Sequence, residues 1–94
     1  MKFDFTVGAQ EQHHVEFSFD QVAGDLKVTV DGNTVVKDFR TFSLNLVKRC
    51  DFMVGTQEQH KIVIEKERKL FLAALRKQKY RVFIDDKLTQ TYEG

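Results

Sequence analysis

Two histidines could bind a metal, because His13 and His60 stand at equivalent places in a repeated Gln-Glu-Gln-His tetrapeptide. If a pseudo-two-fold axis relates the two copies, these imidazoles come close together, and imidazole is a common ligand of zinc and copper. The sequence has only one cysteine, however, and no Cys/His pair has the spacing of a metal site. We therefore predict no metal and no other cofactor, and we expect each histidine to start a strand and hydrogen-bond a nearby carbonyl group.

Three further side chains could take part in catalysis. Glu11 and Glu58, the acidic residues of the same repeat, would suit general acid–base work if their environments differed. Both are expected in polar turns, where a solvated carboxylate is the ordinary outcome. Cys50 follows two cations, which would lower its pKa, but its counterpart in the first copy is Phe3, and this indicates a packing role. We therefore predict no catalytic residue and no enzyme activity.

A basic segment, residues 61–81, makes nucleic-acid binding an alternative function. It holds eight lysines and arginines against two glutamates, with Phe71, Tyr80 and Phe83 among them. Proteins that bind single strands combine cations for phosphates with aromatic side chains for stacking. The net charge of +1 supplies no general attraction to nucleic acid, and a solvated basic face is the simpler interpretation. Nucleic acid is therefore the second choice of partner.

The repeat extends beyond the tetrapeptide and organises the whole chain. The nonapeptide "FTVGAQEQH" near the start and "FMVGTQEQH" near the middle differ at two positions, and the likeness continues on both sides. We predict two pseudo-repeated units, unit A at about 1–38 and unit B at about 50–94, joined by a linker strand at 39–49. Apolar and polar residues alternate along both units, which is typical of half-buried strands.

Alternating strands at this spacing predict an all-β fold, namely an antiparallel sandwich or barrel of seven to eight strands. Each unit alone has too few strands to bury its apolar face, so we expect both to share one core in a single domain, residues 1–94. The single cysteine suits a reducing cytoplasm. No apolar run is long enough to cross a membrane, and we therefore expect a cytoplasmic protein without a membrane partner.

One segment breaks the alternation, because residues 66–78 are rich in helix-forming residues and have no counterpart in unit A. We predict a short helix or a long loop there, whose apolar side either caps the core or binds a partner. That partner would be another protein, with homo-oligomer formation as one form of the contact. The candidate contact residues are Arg68, Lys69, Leu70, Phe71, Leu72, Leu75, Arg76 and Lys77.

Three stretches of the chain combine a Val-Asp-Gly turn, a Phe/Leu strand and a Phe-x-Val-Gly strand end. In order, they read "VDGNTVVKDF", "FSLNLV" and "FMVGTQEQHKIVI". This order resembles the repeat of the Fas apoptotic inhibitory molecule family over residues 28–64, and "YRVFIDDKL" at 80–88 extends the likeness, although Asp86 stands where the family has a turn glycine. The resemblance implies an all-β sandwich without catalytic machinery that acts through protein contacts. Family members are described as anti-apoptotic and aggregation-suppressing, a cellular role that we do not carry over to this shorter chain. The matching positions are Val30, Asp31, Gly32, Lys37, Phe42, Leu44, Phe52, Val54, Gly55, Ile62 and Ile64.

Overall fold

The computed structural model describes residues 1–20, 25–37, 40–42, 47–67 and 78–94, with 40–42 described by their backbone alone. These residues form nine strands and no helix. The strands are β1 (Lys2–Val7), β2 (His13–Asp20), β3 (Asp25–Val30), β4 (Asn33–Val36), β5 (Arg40–Phe42), β6 (Val47–Val54), β7 (His60–Glu67), β8 (Lys79–Ile84) and β9 (Lys87–Glu93).

The strands form two antiparallel sheets, one from each repeat. The first sheet has the order β1-β2-β3-β4, and the second has the order β5-β6-β7-β8-β9. The predicted all-β sandwich of two pseudo-repeats is thereby confirmed. The described residues contain one strand more than the seven to eight expected, because the linker supplies the short strand β5, which pairs with β6 at the edge of the second sheet.

Both units use the same register in their first hairpin. Phe5 pairs with Val15 in the first sheet, and Phe52 pairs with Ile62 at the equivalent place in the second. Both copies of the Gln-Glu-Gln-His motif therefore occupy the loop between paired strands and end on the first residue of the second strand. A slip of one residue would turn every apolar side chain of a strand to the wrong face, so the alternation specifies this register.

Each unit closes with a two-residue hairpin turn between its last two strands. Asp31 and Gly32 have φ angles of 51° and 85°, and Asp85 and Asp86 have angles of 51° and 68°. Positive φ at both central positions is the property of a type I′ turn, which glycine adopts freely and aspartate adopts at some cost. Asp86 therefore preserves the turn at a position where glycine would be less strained.

The inward faces of both sheets form one core. The rings of Phe3 and Phe17 stack with their centroids 4.5 Å apart, and Tyr80 of the second sheet meets Phe17 edge-on at 5.5 Å. Phe17 and Tyr80 are fully buried, and complete burial of a Phe side chain contributes about 1.5–3 kcal/mol relative to full exposure, part of which a separate sheet would lose. The other core members are Phe5, Val7, Val15, Phe19, Leu26, Val28, Cys50, Val54, Ile62, Ile64 and Val82.

The predicted insertion at 66–78 is described only at its two ends. Lys66 and Glu67 belong to β7, where they pair with Tyr80 and Lys79 of β8, so the insertion starts later than predicted. Residues 68–77, which include all the candidate contact residues, lie outside the described part of the chain. The choice between a helix and a long loop stays a prediction. Within the described ranges, no helix is long and apolar enough to cross a membrane.

Candidate functional site

The two Gln-Glu-Gln loops meet at one end of the sandwich. The carboxylate of Glu58 accepts hydrogen bonds from three successive backbone N–H groups of the opposite loop. The N–H groups of Ala9 and Gln10 lie 2.7 Å from its oxygens, and the N–H group of Glu11 lies at 3.3 Å. Successive N–H groups that converge in this way form a nest for an anion. The loop of unit A is therefore an anion site that a side chain of unit B fills.

The loop of unit B binds unit A by the same contacts. The Glu11 carboxylate accepts hydrogen bonds from the N–H groups of Thr56 and Gln57 at 2.8 Å and from that of Glu58 at 3.2 Å. Gly8 and Gly55 shape the loops with φ angles of 104° and 98°. A Cβ at either glycine would overlap the carbonyl oxygen three residues ahead, so only glycine fits there.

Each histidine lies between two carboxylates. The His13 ring contacts Glu11 through Nε2 and Asp31 through Nδ1, both at 2.5 Å. The His60 ring repeats this with Glu58 and Asp85, both at 2.6 Å. The aspartates also accept the backbone N–H of the residue after each histidine. We call this set of six side chains, Glu11, His13, Asp31, Glu58, His60 and Asp85, the polar junction.

The contacts of the junction hold its glutamates in the charged form. The bond from His13, followed by the N–H groups of the opposite loop, lowers the pKa of Glu11 from 4.5 to about 2. The bond from His60 and the N–H groups of unit A lower the pKa of Glu58 to the same value. A carboxylate with such a low pKa is a poor proton acceptor near neutral pH, so these residues are badly suited to general base catalysis.

The same contacts favour protonated histidines. The pKa of each ring is raised above its ordinary value of 6.5, since an imidazolium between two carboxylates is stabilised. Asp31 is the larger cause at His13, and Glu58 is the larger cause at His60. Both nitrogens of both rings are engaged. The part of the chain that the structure describes holds no group of three or more His, Cys, Asp and Glu side chains that could hold a metal ion.

The junction corrects two expectations from the sequence. Glu11 and Glu58 are not solvated turn residues, because their side chains are only 24% and 25% exposed and each is bound by the other unit. The histidine rings bond carboxylates instead of a carbonyl group. These partners were missed because the glutamates and the N–H groups that they bind lie 45 to 49 residues apart in the chain.

Cys50 is a core residue. Its side chain is 2% exposed, and burial, with a smaller effect of the Asp51 charge, raises the pKa of the thiol to about 12. The neighbouring cations therefore do not activate it, because a thiolate would be buried among apolar side chains. The predicted packing role is confirmed.

The cations of the basic segment are spread over two faces. Lys61, Lys79 and Arg81 lie on the outer face of the second sheet, whereas Lys66 points inward, with its Nζ 3.7 Å from the centroid of the Phe19 ring. Tyr80, one of the candidate stacking residues, is buried in the core. The described part of the segment therefore does not form a continuous basic surface, and its other residues, 68–77, are outside that part.

An apolar patch lies on the outer face of the second sheet, and the sequence analysis did not predict it. The patch consists of Met53, Val63, Phe83 and Leu88. Val63 pairs with Phe83 and Phe83 pairs with Leu88 across neighbouring strands, while Met53 lies diagonally from Val63. Met53 is 58% exposed, Leu88 is 54% exposed and Phe83 is partly exposed, whereas Val63 is only 5% exposed. The patch therefore reaches solvent through Met53, Phe83 and Leu88.

The first sheet carries polar residues at all four equivalent positions. These are Thr6, Glu16, Thr29 and Thr34, which lie in the same register as the patch residues. Because the first sheet forms the same structure with polar side chains there, the fold does not require apolar ones in the second. A comparison of outward-facing residues between the two repeats would have found this signal in the sequence.

The comparisons with known proteins support the family resemblance. The family model described as Fas apoptotic inhibitory molecule (FAIM1) matches residues 4–93, nearly the whole chain. Neither the curated proteins nor the solved structures gave a significant match.

Proposed function

The chain belongs to the Fas apoptotic inhibitory molecule family, and from this premise we propose that it is a non-catalytic interaction domain that binds protein through the apolar patch. One observation carries the proposal: four neighbouring outward positions are apolar in the second sheet and polar in the first. Apolar side chains that are clustered on a surface without a packing reason usually mark a contact site.

Covering the patch would supply useful binding energy. Complete burial of a Met or Leu side chain contributes about 1.5–3 kcal/mol relative to full exposure. Since Met53 and Leu88 are each more than half exposed, covering them contributes roughly 1–2 kcal/mol apiece. Phe83 lies between Val63 and Leu88 and is already half-buried, so it is preorganised as the central anchor of the contact.

The chemistry of the polar residues supports a non-catalytic role. The two glutamates that could have acted in catalysis bind the two units to each other. Each histidine is bonded to two carboxylates of its own unit. Cys50, the single cysteine, is buried with a raised pKa. A free thiol of this kind supports a reducing compartment, and we propose the cytoplasm. Nucleic acid is not proposed as a partner, because the described cations of 61–81 do not share one face.

Site-specific photo-crosslinking tests the proposal. Benzoylphenylalanine is placed at Met53 or Leu88 in cells that express the chain, and at Val35 as a matched control. Val35 is apolar and 46% exposed, but it lies on the edge strand β4 of the first sheet. We expect discrete protein adducts at positions 53 and 88 that are absent at 35.

A second variant makes the crosslinking test specific. Phe83→Thr introduces the residue that the first sheet has at this place, so we expect the fold to tolerate it. This change should remove the adducts at position 88. It should leave the melting temperature within about 4–8 °C of that of the parent chain, which corresponds to about 1 kcal/mol in a domain of this size. Equal adducts from all three positions, or adducts that survive Phe83→Thr, would contradict the proposal.

A further inference from the structure

We propose that the patch binds a second copy of this chain, outer face against outer face, about a two-fold axis. This inference rests on the proposed function, because it uses the same patch. Sheets pack face to face at about 10 Å when side chains of both can interdigitate. The exposed parts of Met53, Phe83 and Leu88 give each copy such a surface.

The charges around the patch favour a second copy over a strongly charged partner. The described side chains on the outer face of the second sheet include four cations and four anions. Two such faces meet without net repulsion, whereas a surface for a charged partner carries an excess of the opposite sign. The outer face of the first sheet, in contrast, has two lysines and four carboxylates, so two copies of that face would repel each other. The charged residues of the second face are Arg49, Lys61, Lys79, Arg81, Asp51, Glu65, Glu67 and Glu93.

Two of these charges are placed to pair between copies. Asp51 lies opposite Val63, and Lys61 lies opposite Met53, so both border the patch. Neither forms an ion pair with another described residue, whereas Arg81 bonds Glu65 at 3.3 Å and Glu67 at 2.9 Å. A two-fold axis brings Asp51 of each copy to Lys61 of the other, and the contact then contains two complementary ion pairs at its border.

Two of the four edge strands, β4 and β9, are less suited to self-association. The pairing of β3 with β4 shifts register after Val28, and the pairing of β8 with β9 shifts after Val82. Such bulges disturb the hydrogen-bonding pattern of an edge strand and oppose pairing with another edge. The outer face of the second sheet is therefore a better self-contact than the β4 and β9 edges.

The size of the face sets the strength of the contact. Four strands spaced about 4.8 Å apart, each with about six residues at roughly 3.3 Å, cover about 400 Å² in projection. This is about half of the roughly 800 Å² of accessible surface that a standard specific interface buries on each partner. The dimer should accordingly be weak, with a micromolar dissociation constant, and should form at high concentration.

A charge-exchange experiment tests the two-fold contact. Sedimentation equilibrium is measured on the full chain from low micromolar to millimolar concentration. Asp51→Lys places two lysines against each other at both borders, and Lys61→Asp does the same with two aspartates, so each variant alone should weaken self-association about tenfold or more. In an equimolar mixture of the two variants, the dissociation constant should return to within about threefold of that of the parent chain, because both mixed pairs are again of opposite charge.

The possible outcomes separate the proposal from its alternatives. Phe83→Thr should also weaken association by about tenfold or more, whereas Val35→Thr should leave it unchanged. A mixture that stays monomeric, or a stronger effect of Val35→Thr than of Phe83→Thr, overturns the face-to-face dimer. If the parent chain stays monomeric while crosslinks from Met53 reach another protein, the self-contact is wrong and the proposed function stands. If those crosslinks are also missing, both are wrong.

Discussion

Replacing Gly8 by alanine should destabilise the protein far more than the same change at Gly32. Both glycines have positive φ, 104° and 85°, so alanine is strained at either position. Their surroundings differ. A Cβ at Gly32 meets nothing within 4 Å, whereas a Cβ at Gly8 overlaps the carbonyl oxygen of Glu11 and lies 3.2 Å from Oε2 of Glu58. The pair therefore separates backbone strain from the contact between the loops.

The size of the difference follows from these surroundings. Left-handed backbone costs a residue with a Cβ about 1–2 kcal/mol, and the reduced entropy of the unfolded chain returns about 0.4–1 kcal/mol. Gly32→Ala should therefore cost roughly 0.5–1 kcal/mol. Gly8→Ala carries the same strain and must also displace a carbonyl group in the loop that binds the other unit, so its total cost should be about 3 kcal/mol.

Thermal and urea unfolding measure the effect. At about 4–8 °C per kcal/mol, Gly8→Ala should lower the melting temperature by roughly 12–24 °C and Gly32→Ala by less than about 8 °C. Gly55→Ala should match Gly8→Ala, because its Cβ would meet Glu58 and Glu11 at the same distances. Equal losses at Gly8 and Gly32, or a tolerated Gly55→Ala, would refute the argument that the two loops bind each other tightly.

The polar junction should stabilise the fold most between about pH 4.5 and 6.5. Its glutamates have a pKa of about 2 when folded against 4.5 otherwise, so their contribution is present above pH 4.5 and is lost as the pH falls toward 2. Its histidines have a pKa raised above 6.5, so their contribution is complete below pH 6.5 and is lost as the pH rises through the raised value. A plot of melting temperature against pH should fall on both sides of this range. In the double variant His13→Gln/His60→Gln, the fall on the alkaline side should disappear. If it stays unchanged, the histidine rings do not contribute to stability. Asp86→Gly should stabilise the protein by about 0.5–1 kcal/mol in urea unfolding, because φ at this position is 68°. Gly32→Asp should destabilise it by a similar amount, and a loss of stability in Asp86→Gly would contradict the strain at this turn.

The architecture was predictable because its determinants are local. Alternation marked Phe3, Phe5 and Val7 as one face of a strand, and these residues are buried. The repeated nonapeptide predicted two pseudo-repeated units, and the register that their first hairpins share confirms them. The turn at Asp31 and Gly32 was predictable for the same reason. An adjacent Asp-Gly pair by itself favours the positive φ angles of a hairpin turn, and both residues have them.

The site depended on contacts that no local pattern contains. The type and spacing of Glu11 and Glu58 suggested solvated turns, and only the pseudo-symmetric packing of the units places each carboxylate against N–H groups of the other. Likewise, Val63, Phe83 and Leu88 come from three different strands. Val63 and Phe83 each stand within a short apolar run, and Leu88 stands between polar residues, so no single strand shows that the three are neighbours. Pairing across strands is set by the sheet as a whole, because hydrogen bonds between strands bring together residues that are distant in the chain. Local patterns therefore specify the strands, their turns and the faces that are buried. Which residues of the two repeats bind one another, and which apolar side chains form a common surface, depends on how the strands and the two units pack.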